Sequence, residues 1–202
     1  MNKSRALIIF AKAPVPGEVK TRLQTHLSPE ECATLHKSFV MDTVRIAKNI
    51  KEADTFLYCS PGIEHPFFQK VSQDFDIRLA AQVGKDLGER MDNAINDGLK
   101  AGYEKVVIIG SDSPDLPYEY IEDGFERLGS FDMVVGPCKD GGYYLIGGRR
   151  ELPVFGGIQW GSNRVFEMTM KKAVESGITF SILQEWHDID TWEDLQMLRN
   201  QS

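Results

Sequence analysis

Three short stretches gather side chains that could do chemistry. Residues 10–23 read FAKAPVPGEVKTRL and follow the apolar run ALIIF, so Lys12, Lys20 and Arg22 share one loop with Pro14, Pro16 and Gly17. A basic loop at the end of a β-type run is where α/β proteins bind phosphate groups. Lysine offers a mobile point charge there and arginine a two-pronged fork, while the prolines lower the cost of ordering the loop. The second stretch, GSDSPDLP (110–117), follows the apolar run KVVII, and its Asp112 could hold Mg2+ or Mn2+ through one carboxylate. The third is HDIDTWEDL (187–195). Asp188 and Asp190 fall on one side of an extended segment, an arrangement suited to a divalent cation. Each has a plainer alternative. Lys12, Lys20 and Arg22 could be solvated, Ser111 to Asp115 could only turn the chain, and Asp190 or Thr191 could cap a final helix through Glu193 or Asp194.

Two glycine-bearing stretches suggest close approach. In GPCKDGGYYLIGG (136–148), Asp140-Gly141-Gly142 makes a turn between strands, and Asp140 and Tyr143 offer polar contacts to a substrate. In GKDLGERM (84–91), Gly88 sits in the first turn of a helix, where glycine costs stability unless a backbone or ligand comes close. Trp160, in GIQWGSNR, either faces an acceptor or fills the core. The first loop matches neither the Walker A pattern nor the three-glycine dinucleotide fingerprint, so side-chain cations must do much of the anion binding.

The elements that must position these residues alternate along the chain. Strands are expected at 6–10, 55–60, 77–82, 105–110, 132–137, 143–148 and 178–183. Helices are expected from a Ser28-Pro29-Glu30-Glu31 start to Ile50, then at 64–73, 87–99, 118–128, 162–176 and 191–199. Strand next to strand around 138–142 predicts a mixed sheet within one α/β domain over residues 1–202.

Bulk properties narrow the function. The chain has 202 residues, 42% of them hydrophobic, enough for one sizeable core. A net charge of -7 with no Lys/Arg block argues against nucleic acid as a partner. No apolar run approaches the ~20 residues of a membrane span, and the start reads as a first strand, which points to a cytoplasmic protein. The three cysteines are far apart and unpaired in pattern, so neither a disulfide framework nor a structural zinc site is expected.

FAKAPVPGEVKTRL, DLGERM, GSDSPDLP, GPCKDGGYYLIGG, WGSNRVFE and DIDTWEDL come in order over nearly the whole chain. Together they resemble a bacterial glycosyltransferase-A-like family of the nucleotide-diphospho-sugar transferase superfamily. DIDT is similar to the closing motif of molybdenum-cofactor nucleotidyltransferases, and VKTRL to the loop of phospholactate guanylyltransferases. The resemblance implies a three-layer α/β/α Rossmann-like sandwich of GT-A type with a mainly parallel, mixed central sheet. It implies a nucleotide or nucleotide-sugar at the strand ends and a divalent metal on Asp112, helped by Asp188 or Asp190. By position, Lys12, Lys20 and Arg22 would face the nucleotide phosphates and Asp112 the metal; Pro14, Gly17 and Gly88 are expected beside the nucleotide, and Lys20, Arg22, Asp112 and Asp140 in catalysis. Gly141, Gly142, Tyr143 and Trp160 would meet a small acceptor. The chain departs from the family pattern in offering Ser111-Asp112-Ser113 in place of Asp-x-Asp. The expected activity is metal-dependent glycosyl or nucleotidyl transfer; the alternative is a non-catalytic nucleotide-binding partner protein that keeps the fold.

Overall fold

The computed structural model describes residues 3–201. The strands are β1 (Lys3–Lys12), β2 (Ala53–Ser60), β3 (Arg78–Ala81), β4 (Tyr103–Ile109), β5 (Met133–Pro137), β6 (Tyr143–Gly148) and β7 (Phe180–Ile182). Between and after them lie α1 (Pro29–Ala47), α2 (Pro66–Phe75), α3 (Leu87–Lys100), α4 (Tyr118–Arg127), α5 (Val165–Glu175) and α6 (Trp192–Gln201). The strands form one seven-stranded sheet in the order β3-β2-β1-β4-β6-β5-β7. β6 runs antiparallel to both its neighbours, β4 and β5, and the other pairings are parallel. The expected mixed sheet is therefore present, with one reversed strand.

Two-residue periodicity builds the layers. In β1, Leu7 and Ile9 join Val40 and Val44 of α1, Phe68 and Val71 of α2, and Ile121 and Phe125 of α4 in one core. Ala6 and Ile8 point the other way, to Met91, Ala94 and Ile95 of α3 and Ala173 of α5. Apolar side chains on both faces of β1 and β4 are what a helix-covered parallel sheet requires. A third cluster forms without any strand residue. Leu23, Cys32 and Phe39 enclose Ile189 and Leu195, which pins the loop after β1 to the segment before α6.

Local signals set most helix starts. Ser28 accepts from Glu31 N at 3.2 Å while Glu31 Oε2 accepts from Ser28 N at 2.7 Å, the expected reciprocal cap of α1. Several boundaries shift by a few residues from expectation, and two helix starts bear on the site. α5 begins at Val165, not Ser162, because the Ser162 hydroxyl donates to the Gln159 carbonyl at 2.8 Å and Phe166 N reaches back to Gly141 O at 2.9 Å. At α6, Thr191 does the capping. Asp194 Oδ2 accepts from Thr191 N at 2.8 Å and from Thr191 Oγ1 at 2.7 Å, which leaves the Asp190 carboxylate free for other partners.

Candidate active site

The loop after β1 and the turn after β4 meet at the C-terminal ends of those strands, where open α/β sheets bind ligands. Lys20 heads a short 3-10 turn (Thr21–Thr25) with φ of 48°, a left-handed conformation uncommon for a residue with a Cβ. Its side chain runs inward and is only 2% exposed. The ammonium lies 2.6 Å from Asp112 Oδ1, 3.1 Å from Asp190 Oδ1 and 2.7 Å from the Ile189 carbonyl, and sits 5.1 Å from the centre of the Phe39 ring. Three oxygens match the three N–H groups of a lysine. Burial works against its charge, but Asp112 and Asp190 outweigh that and raise its pKa.

The expected carboxylates are brought together. Ile189 N donates to Asp112 O at 2.8 Å, stitching the DID segment to the end of β4. Ile189 is fully buried, so its neighbours Asp188 and Asp190 both turn to the cleft. Asp188 Oδ1 accepts from Ser113 Oγ at 2.6 Å. Burial pushes the Asp188 carboxyl up to about 6, against the Ser113 hydrogen bond and with help from the charges of Asp112, Asp190 and Asp140. Asp112 keeps 44% of its side chain exposed beside Lys20. Burial alone would raise its pKa, yet the Lys20 ammonium holds it below the ordinary carboxylate value.

A cleft of about 460 Å³ opens beside these groups. Arg22, Asp188 and Asp190 form one side, Asp140, Gly142 and Tyr143 another, and Trp160 to Asn163 with Leu87 and Val165 complete it. Arg22 is 67% exposed and its guanidinium lies 3.7 Å from Asp190 Oδ2. Asp140 serves both readings of its turn, since Oδ1 accepts from Gly142 N at 2.9 Å and the residue still lines the cleft. Gly141 has φ of 89°, and a Cβ there would stand 2.0 Å from the Asn163 carbonyl oxygen.

Other expected residues sit differently. Lys12 turns to its own loop, donating to the Glu18 carbonyl at 2.8 Å with its ammonium 3.8 Å from the Glu18 carboxylate, and is half exposed. Pro14 is buried at the start of the loop, and Gly17 is exposed with φ of 83° at its bend. The close approach at Gly88 is real, but the visitor is Trp160, whose Cζ2 would be 2.6 Å from a Cβ on Gly88. Reading the sequence missed Ser113, whose place beside Asp112 in SDS was its only signal. It also missed His36, which falls at helical spacing from Cys32 and Val40. Buried His36 lies with Nε2 3.0 Å from the Lys12 carbonyl, and burial lowers its pKa, so it braces the basic loop as a neutral ring.

Oxygen donors of this kind suit a hard cation. Among the described residues no three His, Cys, Asp or Glu side chains are arranged to hold a metal by themselves. Mg2+ commonly takes only one or two carboxylates and completes its shell with water and phosphate oxygens. Asp188 and Asp190 line the cleft, and Asp112 is tied to them through the Ile189 N–H and the shared Lys20 ammonium. The donor set fits such an ion.

The chain has a seven-stranded sheet with β6 reversed and an aspartate after β4 facing a basic loop after β1, and its likeness in sequence and fold to a solved relative places it in the nucleotide-diphospho-sugar transferase superfamily. A crystal structure from Desulfovibrio desulfuricans G20, assigned to the nucleotide-diphospho-sugar transferases, is 36% identical; it covers 96% of this chain and 85% of its own, with a TM-score of 0.88. The family model described as "Uncharacterized protein conserved in bacteria (DUF2064)" matches residues 43–162, and the chain belongs to that family. A 4-diphosphocytidyl-2C-methyl-D-erythritol synthase shares the fold at 14% identity and a TM-score of 0.65, over 99% of this chain and 98% of that one. The 2-phospho-L-lactate guanylyltransferase of Methanocaldococcus vulcanius is 26% identical over 147 residues, 69% of this chain. The chain spans 59% of the length of that curated relative. Among the described residues, no helix is long and apolar enough to cross a membrane.

Proposed function

We propose that this protein is a metal-dependent transferase that binds a nucleoside triphosphate or nucleotide-sugar and transfers a nucleotidyl or glycosyl group to a small acceptor. The observation that carries the proposal is the Lys20–Asp112 contact of 2.6 Å, joined through Asp190 to a cleft lined by Asp140, Asp188 and Asp190. It joins the basic loop and the acidic turn in one site. The guanylyltransferase relative supports the nucleotidyl version.

In that version an oxygen of an acceptor phosphate attacks the α-phosphorus in line. The new P–O bond forms as the bond to the β-phosphate oxygen breaks, and diphosphate leaves with the electron pair. Asp112 and Asp188 would hold Mg2+ or Mn2+, which supplies charge neutralisation at the phosphates when bound. Arg22, exposed at the rim, contacts phosphate oxygens by its planar fork. Lys20 orients Asp112 and Asp190 instead of gripping the leaving group, because its N–H groups are already occupied. The acceptor lies against Gly142, Tyr143 and Trp160.

A glycosyl version is favoured by one feature, the Asp140 carboxylate on the cleft wall, which is placed to take a proton from an acceptor hydroxyl. A thermal-shift panel of nucleoside triphosphates and nucleotide-sugars, with and without Mg2+ or Mn2+, tests the proposal. A cognate ligand at ~100 times its Kd stabilises by about 2.7 kcal/mol. Diphosphate release or acceptor glycosylation then distinguishes the versions. No metal-dependent shift with any nucleotide contradicts the proposal.

A further inference from the structure

We propose that Lys20 is a built-in counter-cation that keeps divalent metal off the site until a phosphate ligand arrives. The inference rests on the metal-dependent reading above and adds a regulatory role to it. The ammonium lies between Asp112 and Asp190, 2.6 Å and 3.1 Å from their Oδ1 atoms. The remaining Asp190 oxygen faces Arg22 at 3.7 Å. Asp188 has its Oδ1 engaged by Ser113 at 2.6 Å. A metal entering this arrangement meets a resident positive charge and finds one oxygen of each of the three carboxylates already engaged, so it needs phosphate oxygens to complete its shell.

Several features hold Lys20 in this place. Its backbone adopts the left-handed region at φ of 48°, which costs free energy in a non-glycine residue and turns the side chain inward. The Ile189 carbonyl accepts from the ammonium at 2.7 Å, a contact independent of the carboxylates. Phe39, itself buried, closes over the charge at 5.1 Å. A mobile lysine meant only to follow phosphate would need none of these restraints. Compare Lys12, half exposed in the same loop.

The test is Mn2+ binding followed by electron paramagnetic resonance, with the metal alone and no nucleotide. Wild-type protein should bind Mn2+ weakly. Lys20→Met keeps the length of the side chain and removes its charge, and by removing a like charge beside the ion should bind Mn2+ at least about 10-fold tighter. Adding Asp112→Asn to that variant should abolish the gain. Lys20→Gln, which can still donate to the Ile189 carbonyl, repeats the test if the methionine variant does not fold. Equal or weaker Mn2+ binding by a folded Lys20 variant overturns the inference, as does tight binding of Mn2+ alone by the wild type. Thermal shifts with nucleotide and Mn2+ on the same samples keep the two claims apart. A metal-dependent nucleotide shift without the Lys20 effect sinks this inference only. A gain of Mn2+ affinity in the variant with no nucleotide response anywhere sustains the counter-cation role and sinks the transferase reading.

Discussion

A Cβ placed on Gly88 would stand 2.6 Å from Cζ2 of Trp160 and 2.9 Å from the Phe155 carbonyl oxygen. The first turn of α3 thus lacks a side chain so that the indole forming one wall of the cleft can lie on the helix. Alanine favours helix over glycine by about 1 kcal/mol. Here the clash reverses the sign: Gly88→Ala should destabilise the fold by about 1–3 kcal/mol. Urea unfolding followed by circular dichroism measures this. A stabilised variant would show that the indole moves aside at little cost.

Asp188 links the site to pH. Its carboxyl is pushed up to about 6 in the folded protein, above the ordinary value of 3.8, mainly by burial. The folded state therefore holds a proton that the unfolded chain releases between pH 4 and 6, and the stability this confers is lost as pH rises through 6. Metal-free protein should lose up to roughly 2–3 kcal/mol from this group over that window. Asp188→Asn should remove the slope and be the more stable protein at pH 7. Denaturant titrations in EDTA at pH 4, 5, 6 and 7 check both.

Ile189 separates the two aspartates in sequence and anchors them in space. It is fully buried among Leu23, Cys32, Phe39 and Leu195. Ile189→Val should cost about 0.5–1.5 kcal/mol and Ile189→Ala about 2–5 kcal/mol. The alanine variant should also weaken nucleotide-dependent stabilisation by more than the valine one, because Asp188, Asp190 and the Ile189 carbonyl that binds Lys20 all hang on this side chain. Calorimetry of both variants tells whether packing and ligand binding fall together.

Arg22 should behave in the opposite way. Its side chain is 67% exposed and its only ion pair is a loose 3.7 Å contact among the described residues. Arg22→Gln should change stability by less than about 0.5 kcal/mol, yet weaken binding of a phosphate-bearing ligand. Thermal melts without and with nucleotide separate the two effects.

The fold was legible because its signals are local. Ser28 and Glu31 announce α1, the apolar run before Gly110 announces β4, and the short Asp140-Gly141-Gly142 turn announces the reversed β6. The site was legible as a list of residues but not as a set of contacts. Nothing in FAKAPVPGEVKTRL distinguishes the buried Lys20 from the exposed Lys12; the difference arises from Ile189 and Phe39, which come from other parts of the chain. The glycine at 88 signalled a close approach without saying whose. Ser162 looked like a helix start because serine caps helices often, but its hydroxyl donates to the Gln159 carbonyl and the helix begins only at Val165. Residue types forecast which groups gather; partner choice depends on tertiary packing.

The central claim is that a divalent cation on the carboxylate after β4 holds a nucleotide's phosphates against the first loop. Isothermal titration of Asp112→Asn with the nucleotide selected by the thermal-shift panel, in Mn2+ and in EDTA, tests it most directly. The account predicts that the wild type binds more tightly in Mn2+ than in EDTA and that the variant, still folded, shows no such difference. Metal-enhanced binding that survives in Asp112→Asn at the wild-type level would contradict it.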